Sequence, residues 1–185
     1  MIPHHSPLIS SVSYQPMHLC DASEADLAAI VAIYNAAIPS RIVTADTEPI
    51  SVESRMGWFH RHHPERYPLW VVKFDGELAG WLGFQPFYGR PAYRMTAEIS
   101  IYIAPSHQRQ GIGRYLLATA IDRSPGLGIK TLLGFIFAAN QPSLRLFEQF
   151  QFQPWGYLPA IAELDKVEQD LVIVGLRIPP VAPTG

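Results

Sequence analysis

Glu98 is the one acidic residue in the otherwise uncharged stretch Thr96 to Ile103, and shortly after that stretch comes Gln108-Arg109-Gln110-Gly111-Ile112-Gly113. A carboxylate on a sheet face that opens onto a cleft can take a proton directly or through water. An ordinary ion pair is its other reading. The glycine segment falls between a predicted strand and a predicted helix, where unpaired backbone N–H groups and the helix dipole favour an anion. Glycines at 111 and 113 let a phosphate approach the main chain and permit positive φ. A nucleoside pyrophosphate suits such a site, and a plain tight turn explains the same spacing. No Gly-Lys-Ser/Thr follows, so this is not a Walker loop, and Leu116 stands where a dinucleotide fingerprint needs Gly or Ala.

Asn140, ahead of Ser143, reads first as a helix N-cap, and its amide is also placed to meet a ligand lying along the sheet. In the loop Phe87 to Arg94, Tyr88, Arg90, Tyr93 and Arg94 alternate aromatic rings with guanidinium forks, which suits a small anionic or zwitterionic substrate. A solvated surface loop has the same composition. His60, His62 and His63 lack the HExxH arrangement and a completing carboxylate, so no metal site is expected. His107 reads as a surface residue beside the glycine segment, and Cys20 as an early-strand core residue.

Positioning these groups requires strands and helices in alternation. Leu27, Ile30, Val31, Tyr34 and Ile38 recur at helical spacing, with Ser23 and Asp26 as a capping box ahead of them and Pro39 as the stop. A second helix is predicted from about Val52 to His62. Strand patterns follow at Leu69 to Phe74 and Leu78 to Gln85, joined by the hairpin signal Asp75-Gly76. In Thr96 to Ile103 the residues Ile99, Ile101 and Ile103 share one face, and Glu98, Ser100 and Tyr102 the other. Next come a helix (Arg114 to Asp122), a strand (Thr131 to Phe137), a helix (Gln141 to Phe150) and late strands at Gln153 to Tyr157 and Leu171 to Ile178. This order implies an α/β fold, a mixed sheet with helices on its faces.

At 185 residues the chain suits one domain, expected over 17–178, with a loose arm at 1–16 and a proline-rich tail at 179–185. Its 48% hydrophobic and 16% charged residues supply a core, and a net charge of −2 lacks the basic excess of a nucleic-acid binder. No apolar run reaches the roughly 18 residues of a membrane span, and the start lacks the pattern of a secretion signal. The single cysteine fits a reducing cytoplasm and cannot form an internal disulfide.

The order Glu98, strand to Ile103, Gln108-x-x-Gly111-x-Gly113, Asn140-x-x-Ser143 resembles the GNAT family of N-acetyltransferases, over roughly Met17 to Ile178. Ala32-Ile33-Tyr34-Asn35, Asp46-Thr47-Glu48-Pro49, Tyr88 to Arg94 and Thr96 to Ile103 are similar to its phosphinothricin acetyltransferase-like branch. The resemblance implies the GNAT fold, a central, mostly antiparallel sheet flanked by helices, and acetyl-CoA as co-substrate without a metal. It implies that Gln108, Arg109, Gln110, Gly111, Ile112, Gly113 and Arg114 hold the cofactor pyrophosphate, with Asn140 and Ser143 in support. Backbone groups at Ile101 and Ile103 would meet the thioester, Glu98 would act as general base, and Tyr88, Arg90, Tyr93 and Arg94 would hold the acceptor. The acceptor implied is the primary amine of a small amino-acid-like molecule of phosphinothricin or methionine sulfoximine type, and a homodimer is the implied assembly. A protein or peptide amine and a non-catalytic acyl-CoA sensor are the alternatives.

Three departures from the family pattern stand out. Gln151-Phe152 replaces Gly-Phe, so that turn forms without glycine. Phe147 occupies a position that carries Tyr or His in many relatives, so no general acid for the thiolate is evident. Ala160 to Asp170 keeps only Lys166 and Asp170 of a Lys-x-Gly-x-Trp-x-Asp pattern.

Overall fold

The computed structural model describes residues 17–179, so the arm expected at 1–16 and all but the first residue of the tail expected at 179–185 lie outside it. Its strands are β1 (His18–Asp21), β2 (Leu69–Phe74), β3 (Glu77–Pro86), β4 (Thr96–Ile103), β5 (Thr131–Phe137), β6 (Gln153–Leu164) and β7 (Val167–Arg177). The helices are α1 (Leu27–Ala37), α2 (Val52–Phe59), α3 (Ile112–Arg123) and α4 (Gln141–Gln149). All seven strands join one sheet in the order β1-β2-β3-β4-β5-β7-β6, in which only β4 and β5 run parallel.

Period-two alternation sends neighbouring residues into different cores. On one face Trp70, Val72 and Ile99 pack with Leu116, Leu132 and Phe147. On the other, Leu69, Val71 and Trp81 pack with Leu27, Ile30 and Trp58 of α1 and α2. The uniformly buried start of β2 is therefore a strand covered on both sides.

Local chemistry explains most boundaries. Asp26 accepts from Ser23 N–H at 2.9 Å and Ser23 Oγ at 2.8 Å, closing the expected capping box over a short 3₁₀ turn that leads into α1. Asp75 and Gly76 take φ of 49° and 84°, the left-handed pair that a two-residue hairpin needs. The second helix stops at Phe59, three residues short of the expected end. His62 N–H bonds to Phe59 at 3.0 Å, while the Trp58 carbonyl, its partner in a continuing helix, pairs with the His62 ring at 3.0 Å. The late strands are longer than expected. They form a hairpin of twelve and eleven residues whose register shifts between Leu158 and Ala162, with Ala160 at φ 48°, so the period-two signal breaks mid-strand.

Helix α4 ends in a Schellman motif: Phe152 N–H reaches the Phe147 carbonyl at 3.2 Å and Gln151 N–H reaches Glu148 at 2.9 Å. Phe152 packs edge-on against Phe147, their centroids 4.8 Å apart. The left-handed position, φ 65°, falls to Gln151, as the missing glycine requires. Gln151→Gly is expected to remove roughly 1 kcal/mol of backbone strain and raise the thermal midpoint by about 2–4 °C. A midpoint at or below that of the parent chain in calorimetry would refute this.

Candidate active site

Strands β4 and β5 pair over three residues, Thr96↔Thr131, Ala97↔Leu132 and Glu98↔Leu133, after which the ladder ends although both strands continue. Met95 accepts from Thr131 N–H at 3.1 Å on the β5 side, and Thr96 accepts from Phe87 N–H at 3.4 Å on the β3 side. Successive residues of a strand aim their backbone groups to opposite sides. The N–H groups of Ile101 and Ile103 therefore face the side of β5, past the last paired residues. The gap is a cleft of about 140 Å³ whose lining includes Ile101, Ile103, Gly113, Asn140, Ser143 and Phe147. Five residues expected at the cofactor, drawn from two helices and a strand, thus meet at one opening.

The expected anion site stands at the start of α3. Gly111 caps the helix at φ 83°, with no heavy atom within 4 Å of where a Cβ would sit. The first intrahelical bond runs from Tyr115 N–H to Gly111 at 2.9 Å, which leaves the N–H groups of Ile112, Gly113 and Arg114 without helical acceptors. Arg109, at φ 59°, adds a second left-handed residue to the loop. Gln108, Arg109 and Gln110 are exposed, and Gln110 Nε2 ties the loop to the Ser106 carbonyl at 3.1 Å. Ile112 is buried, so only its backbone is available. The Arg114 guanidinium lies 5.2 Å from the Phe150 ring centroid and donates to Gln149 Oε1 at 3.1 Å. An N-terminal fan of donors flanked by two cations suits a polyanion.

Asn140 is the N-cap of α4, its Oδ1 accepting from Ser143 N–H at 3.2 Å, and it also borders the cleft. Phe147 is buried, and a Cβ on Gly134 would sit 2.9 Å from its ring. It shapes the cleft wall and supplies no proton. The hydroxyls lining the cleft belong to Ser100, Tyr102 and Ser143.

Glu98 is the last residue of β4 paired with β5, and it stands directly opposite Gln85 of β3. Among the described residues it has no hydrogen-bond or ion-pair partner, and burial alone raises its carboxyl above the usual glutamate range. An unpaired, half-buried carboxylate weighs against the ion-pair reading and suits proton transfer.

A second cavity of about 150 Å³ opens on the opposite face, between α1, α2, β3 and β4. Tyr34, Arg55, Trp58, Trp81 and Gln85 help to line it, and Ser100 and Tyr102 border both this cavity and the cleft. Trp81 stacks on Tyr102 at 4.6 Å and meets Trp58 edge-on at 5.7 Å. Tyr34 donates to Asp46 at 2.6 Å and pairs with buried Thr44, so burial and the neighbouring carboxylate push its phenol pKa up.

The loop residues expected at the acceptor line neither opening. Tyr88 and Tyr93 are exposed and gather around Phe87, and Arg90 and Arg94 are exposed beside them. Their loop follows Gln85 and Pro86, which pair with Glu98 and Ala97, so it starts close to the carboxylate. His60 pairs with Glu24 at 2.9 Å, and His62 with the Trp58 carbonyl. Among the described residues no three His, Cys, Asp or Glu side chains come together. No helix there is long and apolar enough to cross a membrane. Cys20 is half-buried in β1 against the α1–α2 core.

The family model described as "Acetyltransferase (GNAT) family" matches residues 30–152. YwnH of Bacillus subtilis strain 168, provisionally named a phosphinothricin acetyltransferase, is 52% identical over 158 residues, covering 85% of this chain and 96% of YwnH. An L-methionine sulfoximine/L-methionine sulfone acetyltransferase of Salmonella typhimurium strain LT2 is 29% identical over 140 residues, 76% of this chain and 82% of its own length. The crystal structure of a GNAT superfamily phosphinothricin acetyltransferase from Sinorhizobium meliloti in complex with AcCoA superposes with a TM-score of 0.82. Its identity is 27%, with 88% of each chain covered.

Proposed function

This chain belongs to the GNAT acetyltransferase family and is an acetyl-CoA-dependent N-acetyltransferase, and from that premise we propose that Glu98 is its general base toward small amino-acid-like amines. The acceptors are of phosphinothricin or methionine sulfoximine type, in keeping with the names of its relatives. The observation that carries this reading is the position of Glu98. It is an unpaired carboxylate at the end of the β4–β5 ladder, opposite Gln85 of the aromatic cavity and two residues from Ser100, which borders both openings.

The chain's own groups divide the work. The backbone N–H groups of 112–114, with the loop Gln108 to Gly111 and the Arg109 and Arg114 charges, bind the pyrophosphate of acetyl-CoA. Ile101, Gly113, Asn140 and Ser143 border the path of its arm. Ile103 N–H donates to the thioester carbonyl oxygen as charge gathers there. Glu98 removes one proton from the acceptor ammonium, the freed amine attacks the thioester carbon directly, and the tetrahedral nitrogen gives its second excess proton to water as the C–S bond breaks and the amide forms. Both groups stand on one strand, which fixes their spacing. With Phe147 in place of a hydroxyl or imidazole, CoA departs as thiolate and takes its proton from water. Tyr88, Arg90, Tyr93 and Arg94, exposed on the loop that follows Gln85 and lining neither opening, are assigned to the outer approach to the acceptor.

The deciding assay is release of free CoA thiol from acetyl-CoA with phosphinothricin, methionine sulfoximine, methionine sulfone, ordinary amino acids, polyamines and a lysine peptide. Turnover on the first three is the expected result. Turnover on the peptide alone would move the function to protein modification.

A further inference from the structure

The aromatic cavity has one cation in its lining, Arg55, and its structural contacts leave donors unused. Arg55 rises from α2 with its guanidinium carbon 4.9 Å from the Tyr34 ring centroid and 5.6 Å from that of Trp58. Its one ion pair runs from Nη2 to Asp46 Oδ2 at 3.3 Å, and that same oxygen already accepts from Tyr34 at 2.6 Å. Its Nε and Nη1 donors have no acceptor among the described residues. The side chain is 28% exposed, so it lies against the two rings with part of its surface open. A guanidinium stacked on aromatic faces keeps its in-plane N–H groups free for an oxyanion.

The lining decides between classes of ligand. A cationic group would be drawn to the rings, yet Arg55 covers the faces of Tyr34 and Trp58 and repels it. A wholly apolar group would leave the guanidinium and the Gln85 amide facing it without acceptors, which is costly once the group shields them from water. An acceptor with an oxygen anion satisfies both and lets its aliphatic part lie against Trp58 and Trp81.

Resting on the amine-acceptor reading above, we propose that this cavity is the acceptor subsite and that Arg55 is its specificity-determining anchor, binding a carboxylate or phosphinate oxygen while the amine faces Glu98. This assignment concerns recognition. Arg55 sets which amines enter and leaves the chemistry to β4.

The test compares the parent enzyme, Arg55→Gln and Arg55→Lys on three amines: phosphinothricin, methionine sulfone, and 3-(methylsulfonyl)propylamine, which carries no anion. Arg55→Gln should raise KM for the anionic acceptors by about 10- to 100-fold while kcat and the KM for acetyl-CoA hold within about three-fold. Arg55→Lys keeps the charge without the fork, so it should fall between the two. A loss on both acids assigns Arg55 to the carboxylate, and a loss confined to phosphinothricin assigns it to the phosphinate. An equal loss on the uncharged amine, or no loss on the acids, overturns the proposal. Should the parent enzyme turn over none of the three, the acceptor reading fails by itself. Quenching of tryptophan fluorescence by phosphinothricin, with Trp58 and Trp81 in the wall, then reads the site directly. Quenching that Arg55→Gln abolishes supports the anchor, and its absence in the parent enzyme refutes it.

Discussion

Glu98→Gln is expected to lower turnover at neutral pH by about 10²- to 10⁴-fold while acetyl-CoA affinity stays within about two-fold. Glutamine keeps the shape of the side chain, replaces the carboxylate with a neutral amide and cannot hold the proton. The pH profile supplies the signature. Burial raises the Glu98 carboxyl, so the rising limb of kcat/KM in the parent enzyme should lie above the ordinary glutamate range. The variant should lack that limb. The sign of the stability effect separates lost chemistry from lost fold. A group whose pKa is higher folded than unfolded favours the folded state in its protonated form, and that contribution is lost as pH rises through the folded value. Ionising the half-buried Glu98 is therefore a cost to the fold, and Glu98→Gln should unfold at the same temperature as its parent or higher. A full rate across the pH range would remove Glu98 from the role of base.

Gly111→Val should act on the other substrate, raising the dissociation constant for acetyl-CoA by about 10- to 100-fold with a smaller effect on kcat at saturation. Space is not the obstacle, because no atom lies within 4 Å of the added Cβ. The obstacle is φ 83°, which a β-branched residue adopts only at a cost of roughly 1–2 kcal/mol or more. Relief of that strain turns the peptide and redirects the N–H groups of 112–114. Gly76→Val is the matched control: it sits at φ 84°, equally open, in the β2–β3 hairpin, whose turn residues do not line the cleft. It should lose comparable stability and keep its acetyl-CoA affinity. Unchanged affinity in Gly111→Val would end the pyrophosphate assignment.

Local chemistry made part of this site legible from the chain alone. Thr96 to Ile103 and Thr131 to Phe137 match their strands to the residue, because alternation, β-branching and flanking turn residues agree there. The glycine segment was readable for a similar reason, since capping, positive φ and exposed N–H groups all depend on neighbours in sequence. The aromatic cavity was not. Tyr34, Arg55, Trp58 and Trp81 come from three elements and meet only when α1 and α2 settle on the sheet. Taken singly, Trp58 and Trp81 have the spacing of core residues, which they also are. The trace that could have drawn attention is Arg55, a cation one helical turn from Trp58. Thr44 and Asp46, which orient Tyr34, lie in an irregular segment where periodicity has nothing to report.

The short β4–β5 ladder also bears on how the sheet holds together. Strands β1 to β4 and strands β5 to β7 are two panels joined by three residue pairs at one end, with the N–H groups of Ile101 and Ile103 on the open side. On the reading proposed above, an acyl donor lying along that seam would supply the rungs that β4 and β5 do not supply to each other. The architecture would then be completed by its own reactant: occupancy would stabilise the sheet by mass action, and each release of product would return the two panels to an unfinished join.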